Sequence, residues 1–375
     1  MQTELCKALG IDFPIFAFSH CRDVVVEASK AGAFGVLGAV GFTPEQFARE
    51  LDRLDEAVGD RPYGVDVVIP AHDVPGAEKD PETLRQELFN SIPQEHRQFA
   101  KKVLAESGVP ELPEGVKHEG EYLLRSTAAT ARRHVEIALR HPNVKLIANA
   151  LGAPPPDLVQ QIKASGRLVA GLCGDALQAK KHADQGVDII VAQGSEGGGH
   201  TGEIGSMVLW PEVIDLVHPK PVLAAGGIGN GRQIAAAISM GAEGVWTGSL
   251  WLTTTESDLT DVQKELLLAA RSRDTVRSRS LTGKPCRMLR NKWTEAWDSR
   301  ESPGTLPLPL QDLVAAEATS RAKAYPQKAR DVTINPVGQI VGSLHEIRRT
   351  RDVVRTLAEE YLDAVERLNR VTGFE

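Results

Sequence analysis

Ile189-Ile190-Val191-Ala192-Gln193-Gly194-Ser195-Glu196-Gly197-Gly198-Gly199-His200-Thr201-Gly202 and Pro221-Val222-Leu223-Ala224-Ala225-Gly226-Gly227-Ile228-Gly229-Asn230-Gly231 decide the fold. A third stretch, Gly244-Val245-Trp246-Thr247-Gly248-Ser249, answers them. In each, a short run of Val, Ile and Ala stops abruptly at glycine. A buried parallel strand reads this way when it runs into a loop where the backbone must approach a ligand closely. Glycine carries no Cβ, so its N–H can face an anion unobstructed. Adjacent strand ends of this kind, each followed by a helix pattern, make a phosphate cradle. The loops after the last two strands of a (β/α)8 barrel commonly do this.

Working outward from these stretches, the chain alternates strand and helix. Strands are expected over 13–18, 33–38, 63–70, 144–150, 168–172, 187–192, 221–225 and 243–247. Thr43-Pro44-Glu45 opens a helix with Thr as N-cap and Pro in the first turn. Its apolar stripe is Phe47, Leu51, Leu54 and Val58. Eight repeats of strand and helix predict an α/β fold, a closed (β/α)8 TIM barrel over residues 1–270. An open doubly wound sheet would place its glycine fingerprint after the first strand, and here the glycines come late.

The chain has 375 residues, more than the roughly 250 of a plain barrel. Two additions account for the excess. One is an insertion after strand 3, over 71–120, polar and rich in proline, read as a lid or substrate wall. The other is a C-terminal helical extension over 271–375 that packs on the barrel and ends in a helix over 343–370.

A formal charge of −7 and 42% hydrophobic residues describe an ordinary globular protein and give no reason to expect nucleic acid or a membrane as partner. Cys6, Cys21, Cys173 and Cys286 lie far apart without metal-ligand spacing. They are expected to be reduced, which points to the cytoplasm. No metal site, signal peptide or membrane span is expected.

The residues at the strand ends are similar to those of the nitronate monooxygenase (2-nitropropane dioxygenase) family. Ala192–His200 resembles its AQGxEAGGH loop, and Ala224-Ala225-Gly226-Gly227-Ile228 with Gly248-Ser249 its AAGGI and MGT elements. Thr282-Gly283-Lys284-Pro285 and Asn335-Pro336-Val337-Gly338-Gln339 look like its TGRPA and PAGQ segments. The resemblance implies an FMN-binding barrel that oxidises alkyl nitronates with O2. It implies that Gly226, Gly227, Gly248 and Ser249 hold the FMN phosphate and that Gln193 bonds the flavin ring edge. Gly198 and Gly199 would let the loop pass the ring. His200 stands where the family's catalytic histidine stands. There it takes a proton from a neutral nitroalkane or helps to hold the anionic nitronate, and a pKa near the usual ~6.5 would put a rising limb in the pH profile.

Two positions depart from the family pattern. Its Ala-Pro-Met step under the flavin is Ala17-Phe18-Ser19-His20 here, so backbone contacts from Phe18 and Ser19 are expected in its place. His20 adds an ionisable group to the mouth, and whether His20, His72 or Asp66 reaches the flavin is left open. Asp66 stands where the family often has Asn, and a carboxylate beside a flavin disfavours the anionic reduced ring. The long insertion suggests a substrate larger than a small nitroalkane.

An alternative keeps the FMN and makes the protein an NAD(P)H-dependent reductase of quinones or enoyl thioesters, since loops rather than fold set the chemistry. A nucleotide dehydrogenase would need a cysteine on the loop after the sixth strand, and none is there. An FMN-binding scaffold without turnover would not need Gln193 and His200. The oligomeric state is left open, a homodimer among the options.

Overall fold

The computed structural model describes residues 1–70, 76, 79, 81–113, 127–152 and 154–373. Eight parallel strands close into a barrel: β1 (Ile15–Ser19), β2 (Phe34–Gly38), β3 (Tyr63–Asp66), β4 (Val144–Asn149), β5 (Leu168–Cys173), β6 (Ile189–Gln193), β7 (Val222–Ala225) and β8 (Gly244–Thr247). Each pairs with its sequence neighbour, and Ile15 opposite Val245 closes the ring. All eight lie where the sequence places them.

Alternation sorts the strand residues into two cores. Inside the barrel, Phe16, Phe34, Val36, Leu146, Val191 and Leu223 pack together. Side chains of this size fill an eight-stranded barrel, so it is a packed core rather than a channel. Gly64 makes room for one of them, because a Cβ there would lie 2.8 Å from the Phe34 ring. The helix Glu4–Leu9 brings Leu5 and Leu9 into the same cluster. Outside, the helices bury their stripes on the strands. Pro44–Val58 does so through Phe47, Leu51, Leu54 and Val58, with the Thr43 hydroxyl and the Gln46 side chain forming a reciprocal cap.

A third cluster belongs to neither layer. The helices Pro81–Ser91 and Gln94–Glu106 of the insertion meet Lys292–Trp297 and Leu310–Ala324 of the C-terminal segment. Ile92, Val103 and Leu104 pack there with Trp293, Trp297 and Leu313. Neither piece has enough apolar surface to form a core alone. The sequence treats them as separate additions, whereas the fold joins them. The remainder of the expected lid, His72 included, lies outside the described residues.

The C-terminal segment also carries two short strands, Thr275–Ser278 and Cys286–Leu289, that no sequence pattern announces. They form an antiparallel hairpin, and its second strand pairs with the two-residue strand Gly199–His200. The terminal helix is Thr350–Thr372, preceded by a 3-10 turn over Gln339–Ser343. It packs on the barrel helices Gly231–Ser239 and Arg22–Lys30. Among the described residues no helix is long and apolar enough to cross a membrane.

Candidate functional site

Strand alternation builds a ring at the carboxyl end of the barrel. Phe16, Val191, Ala225 and Trp246 face inward, so two residues further on Phe18, Gln193, Gly227 and Gly248 arrive at the rim. Asp66 pairs with Ala148, another inward residue, and so faces the same way. Phe18 stacks on Trp246 at 5.9 Å between centroids. Ser19 faces outward, and its hydroxyl accepts the Cys21 N–H at 3.1 Å in the turn that follows. His20 sits exposed at the rim, Nδ1 3.3 Å from the Gly38 carbonyl and its ring edge-on to Phe18.

The turn after β7 has a backbone that only glycine adopts comfortably. Gly226 has φ 90° and Gly227 φ 73°. A Cβ on Gly226 would lie 2.7 Å from the Gly194 carbonyl, and one on Gly227 3.2 Å from Glu196 Cβ. Gln233 locks the turn by donating to the Gly227 carbonyl at 2.6 Å and accepting the Gly229 N–H at 2.7 Å. Among the described residues, the N–H groups of Gly227, Gly248 and Ser249 make no turn, loop or cap hydrogen bond. Ser249 Oγ accepts the Gly338 N–H at 2.8 Å, which leaves its own proton to donate. An open recess of about 300 Å³ borders the turn, lined in part by Glu196, Gly226, Gly227, Gln233 and Gln339. Glu196 is occupied there, since its carboxylate accepts the Ser206 N–H at 3.0 Å and caps the helix Ser206–Val217.

The loop after β6 folds back over the ring. Gln193 Nε2 donates to the Gly198 carbonyl at 3.3 Å. Gly198 passes so close to the Val337-Gly338 strap that a Cβ would lie 2.7 Å from the Gly338 nitrogen. Gly199, at φ 76°, turns the chain into the small sheet. Arg287 fastens the loop from below, with Nε donating to the Ser195 carbonyl at 2.8 Å, and Arg277 reaches the Thr201 carbonyl at 3.3 Å. His200 then places Nε2 2.7 Å from Thr282 Oγ1.

The family model for nitronate monooxygenase matches residues 3–360. The chain belongs to the nitronate monooxygenase family. It is therefore a flavin-dependent oxidoreductase. A putative monooxygenase of Mycobacterium tuberculosis is 48% identical over 372 residues, 98% of each chain. A probable nitronate monooxygenase of Staphylococcus haemolyticus is 28% identical, covering 83% of this chain and 84% of its own. The solved nitroalkane oxidase of Streptomyces ansochromogenes superposes with a TM-score of 0.79 at 24% identity, covering 97% of this chain and 99% of its own. At that identity the likeness speaks for the barrel alone.

Two ionisable residues of this nitronate monooxygenase family member differ from their sequence expectation. His200 is half-buried, and desolvation first and the Lys284 ammonium second push its pKa down to about 4. The expected limb near the usual ~6.5 is therefore corrected: the ring is uncharged across the neutral range. Asp66 is 5% exposed, and among the described residues its Oδ1 has no hydrogen-bond partner. Burial pushes its pKa up to about 7, with the Ala150 N–H opposing. Asp66 is thus largely a neutral acid below neutrality, and the charge repulsion read from the sequence is relieved there.

The Asp66 shift has a consequence for stability. The native carboxyl keeps its proton up to about pH 7, whereas an unfolded one releases it near 3.8. Stability should therefore fall as pH rises between those values, by as much as ~4 kcal/mol in total. Urea unfolding at about pH 5 and about pH 8 should show this slope in the wild type and not in Asp66→Asn. Equal slopes in both would show that the buried group is not held protonated.

Sequence reasoning missed Gln233, Arg287, Thr282 and Gly338. Two of these lie in the TGRPA-like and PAGQ-like segments, which both come back to the loop after β6. Their family resemblance was the available signal.

Proposed function

We propose that this protein is an FMN-dependent nitronate monooxygenase, oxidising an alkyl nitronate with O2. The observation that carries the reading is the joint placement of the Gly226-Gly227 turn, the Gly248-Ser249 end and the loop that bears His200. Free N–H donors on a positive-φ glycine turn suit a phosphate. One such cradle, without a separate dinucleotide fingerprint, favours FMN over FAD.

Gly226, Gly227, Gly248 and Ser249 would hold the phosphate. Phe18 and Ser19 would lie under the ring through their backbone, Gln193 and Asp66 would meet its edge, and Gly198 and Gly199 would let the loop cross it. His200 would contact the substrate. Bound FMN supplies the route for electrons from substrate to O2. The residues of this chain bind and orient, and the loop pinned by Arg287 covers the ring against water. We read residues 1–270 as the FMN-binding barrel, and the joined parts of 71–120 and 271–375 as a wall on the substrate side. Four unpaired, buried cysteines support a reducing, cytoplasmic setting.

The protein should be yellow as purified, and denaturation followed by chromatography should release FMN. Release of FAD, or no flavin uptake on reconstitution, would contradict the reading.

A further inference from the structure

His200 and Thr282 come from segments 82 residues apart, and their contact constrains which histidine nitrogen holds the proton. Thr282 is 3% exposed. Its Oγ1 accepts the Lys284 N–H at 3.4 Å and lies 2.7 Å from His200 Nε2. Among the described residues it has no other polar partner. A hydroxyl has one proton to donate, and a backbone N–H cannot receive it. Nε2 can. An Nε2–H donor would leave that buried hydroxyl proton without an acceptor among the described residues, so the satisfied arrangement has Nε2 as the lone-pair nitrogen and the ring proton on Nδ1, which makes no hydrogen bond within the described chain.

We propose that Thr282 is a positioning residue that fixes His200 as a neutral Nδ1–H donor, so that the site selects a preformed anion over a neutral substrate that must be deprotonated. This rests on the nitronate reading above. Three observations support it together. The only lone pair on the ring is already engaged by Thr282, so accepting a carbon-bound proton there would break that bond. The charged group of the hairpin segment that acts on the histidine is the Lys284 ammonium, while Arg277 and Arg287 alternate to the other face of the small sheet and Glu196 on the histidine's own loop is engaged at Ser206. The ammonium opposes a charged imidazolium and favours a substrate anion. A pKa of about 4 also lies well below the range in which a general base works best at neutral pH.

The test uses full-length protein labelled with 15N-histidine, together with paired substrates. At neutral pH the His200 ring nitrogens should report the Nδ1–H tautomer. Thr282→Val, nearly isosteric, should lose that bias, and Thr282→Ser should keep it. The ratio of kcat/KM for a nitronate over its parent nitroalkane should fall by about tenfold in Thr282→Val, the worth of one positioned hydrogen bond, and recover in Thr282→Ser. A wild-type Nε2–H tautomer would overturn the proposal. So would a Thr282→Val variant with unchanged tautomer and unchanged ratio. If the wild type carried the Nδ1–H tautomer but turned over neither substrate, the nitronate reading would fall, and the substrate selection with it; the tautomer assignment alone would stand.

Discussion

His200→Ala should keep its flavin and lose about 10²–10³-fold in kcat/KM for an alkyl nitronate, the usual worth of one positioned donor at a developing or bound anion. FMN should stay because the proposed phosphate donors lie on the turns after β7 and β8, not on the loop after β6. His200→Asn should fall far less, by about tenfold or under, because an amide N–H can still donate. A base offers no such rescue, since asparagine cannot take a proton at neutral pH. Steady-state rates for the two variants decide the matter. Equal, severe losses in both would make His200 a base. No loss in either would leave the loop as a cover for the ring. The pH profile adds a second check, because His200 with a pKa of about 4 contributes no limb between pH 6 and 8. A limb near neutrality belongs to Asp66 and should vanish in Asp66→Asn.

Gly227→Val should give a colourless protein that is still folded. Position 227 has φ 73°, a conformation that costs a β-branched residue about 1–3 kcal/mol. The new Cβ would lie 3.2 Å from Glu196 Cβ, a contact that a small shift relieves. The further methyls would occupy the space before the Gly227 N–H, where the proposed phosphate would sit. Circular dichroism near the wild-type spectrum with no flavin absorbance is the expected pair of readings. A yellow Gly227→Val would move the phosphate off this turn. Insoluble protein would make the glycine a requirement of the fold.

The barrel was legible because buried parallel strands are short apolar runs and their ends are marked by glycine. Thr43, Pro44 and the stripe Phe47, Leu51, Leu54 and Val58 specify their helix locally, and it formed as read. Pairings between distant segments left no such mark. Gly199–His200 is too short for a periodicity, and its partner Cys286–Leu289 lies far along the chain. The shared core of Leu104 and Trp297 likewise needs two segments that lie far apart in the chain. The ionisation states of Asp66 and His200 were illegible for a related reason. Burial and the placement of Lys284 set them, and both are properties of the assembled fold.

The central claim is that the residues gathered at the barrel mouth hold a flavin that takes electrons from a nitronate. Anaerobic stopped-flow mixing of the yellow protein with an alkyl nitronate, NADH or NADPH tests it most directly. The account predicts that the nitronate discharges the oxidised flavin absorbance, that O2 restores it, and that NADH and NADPH do so slowly or not at all. Rapid bleaching by NADH or NADPH with no response to the nitronate would contradict it and make the protein a reductase.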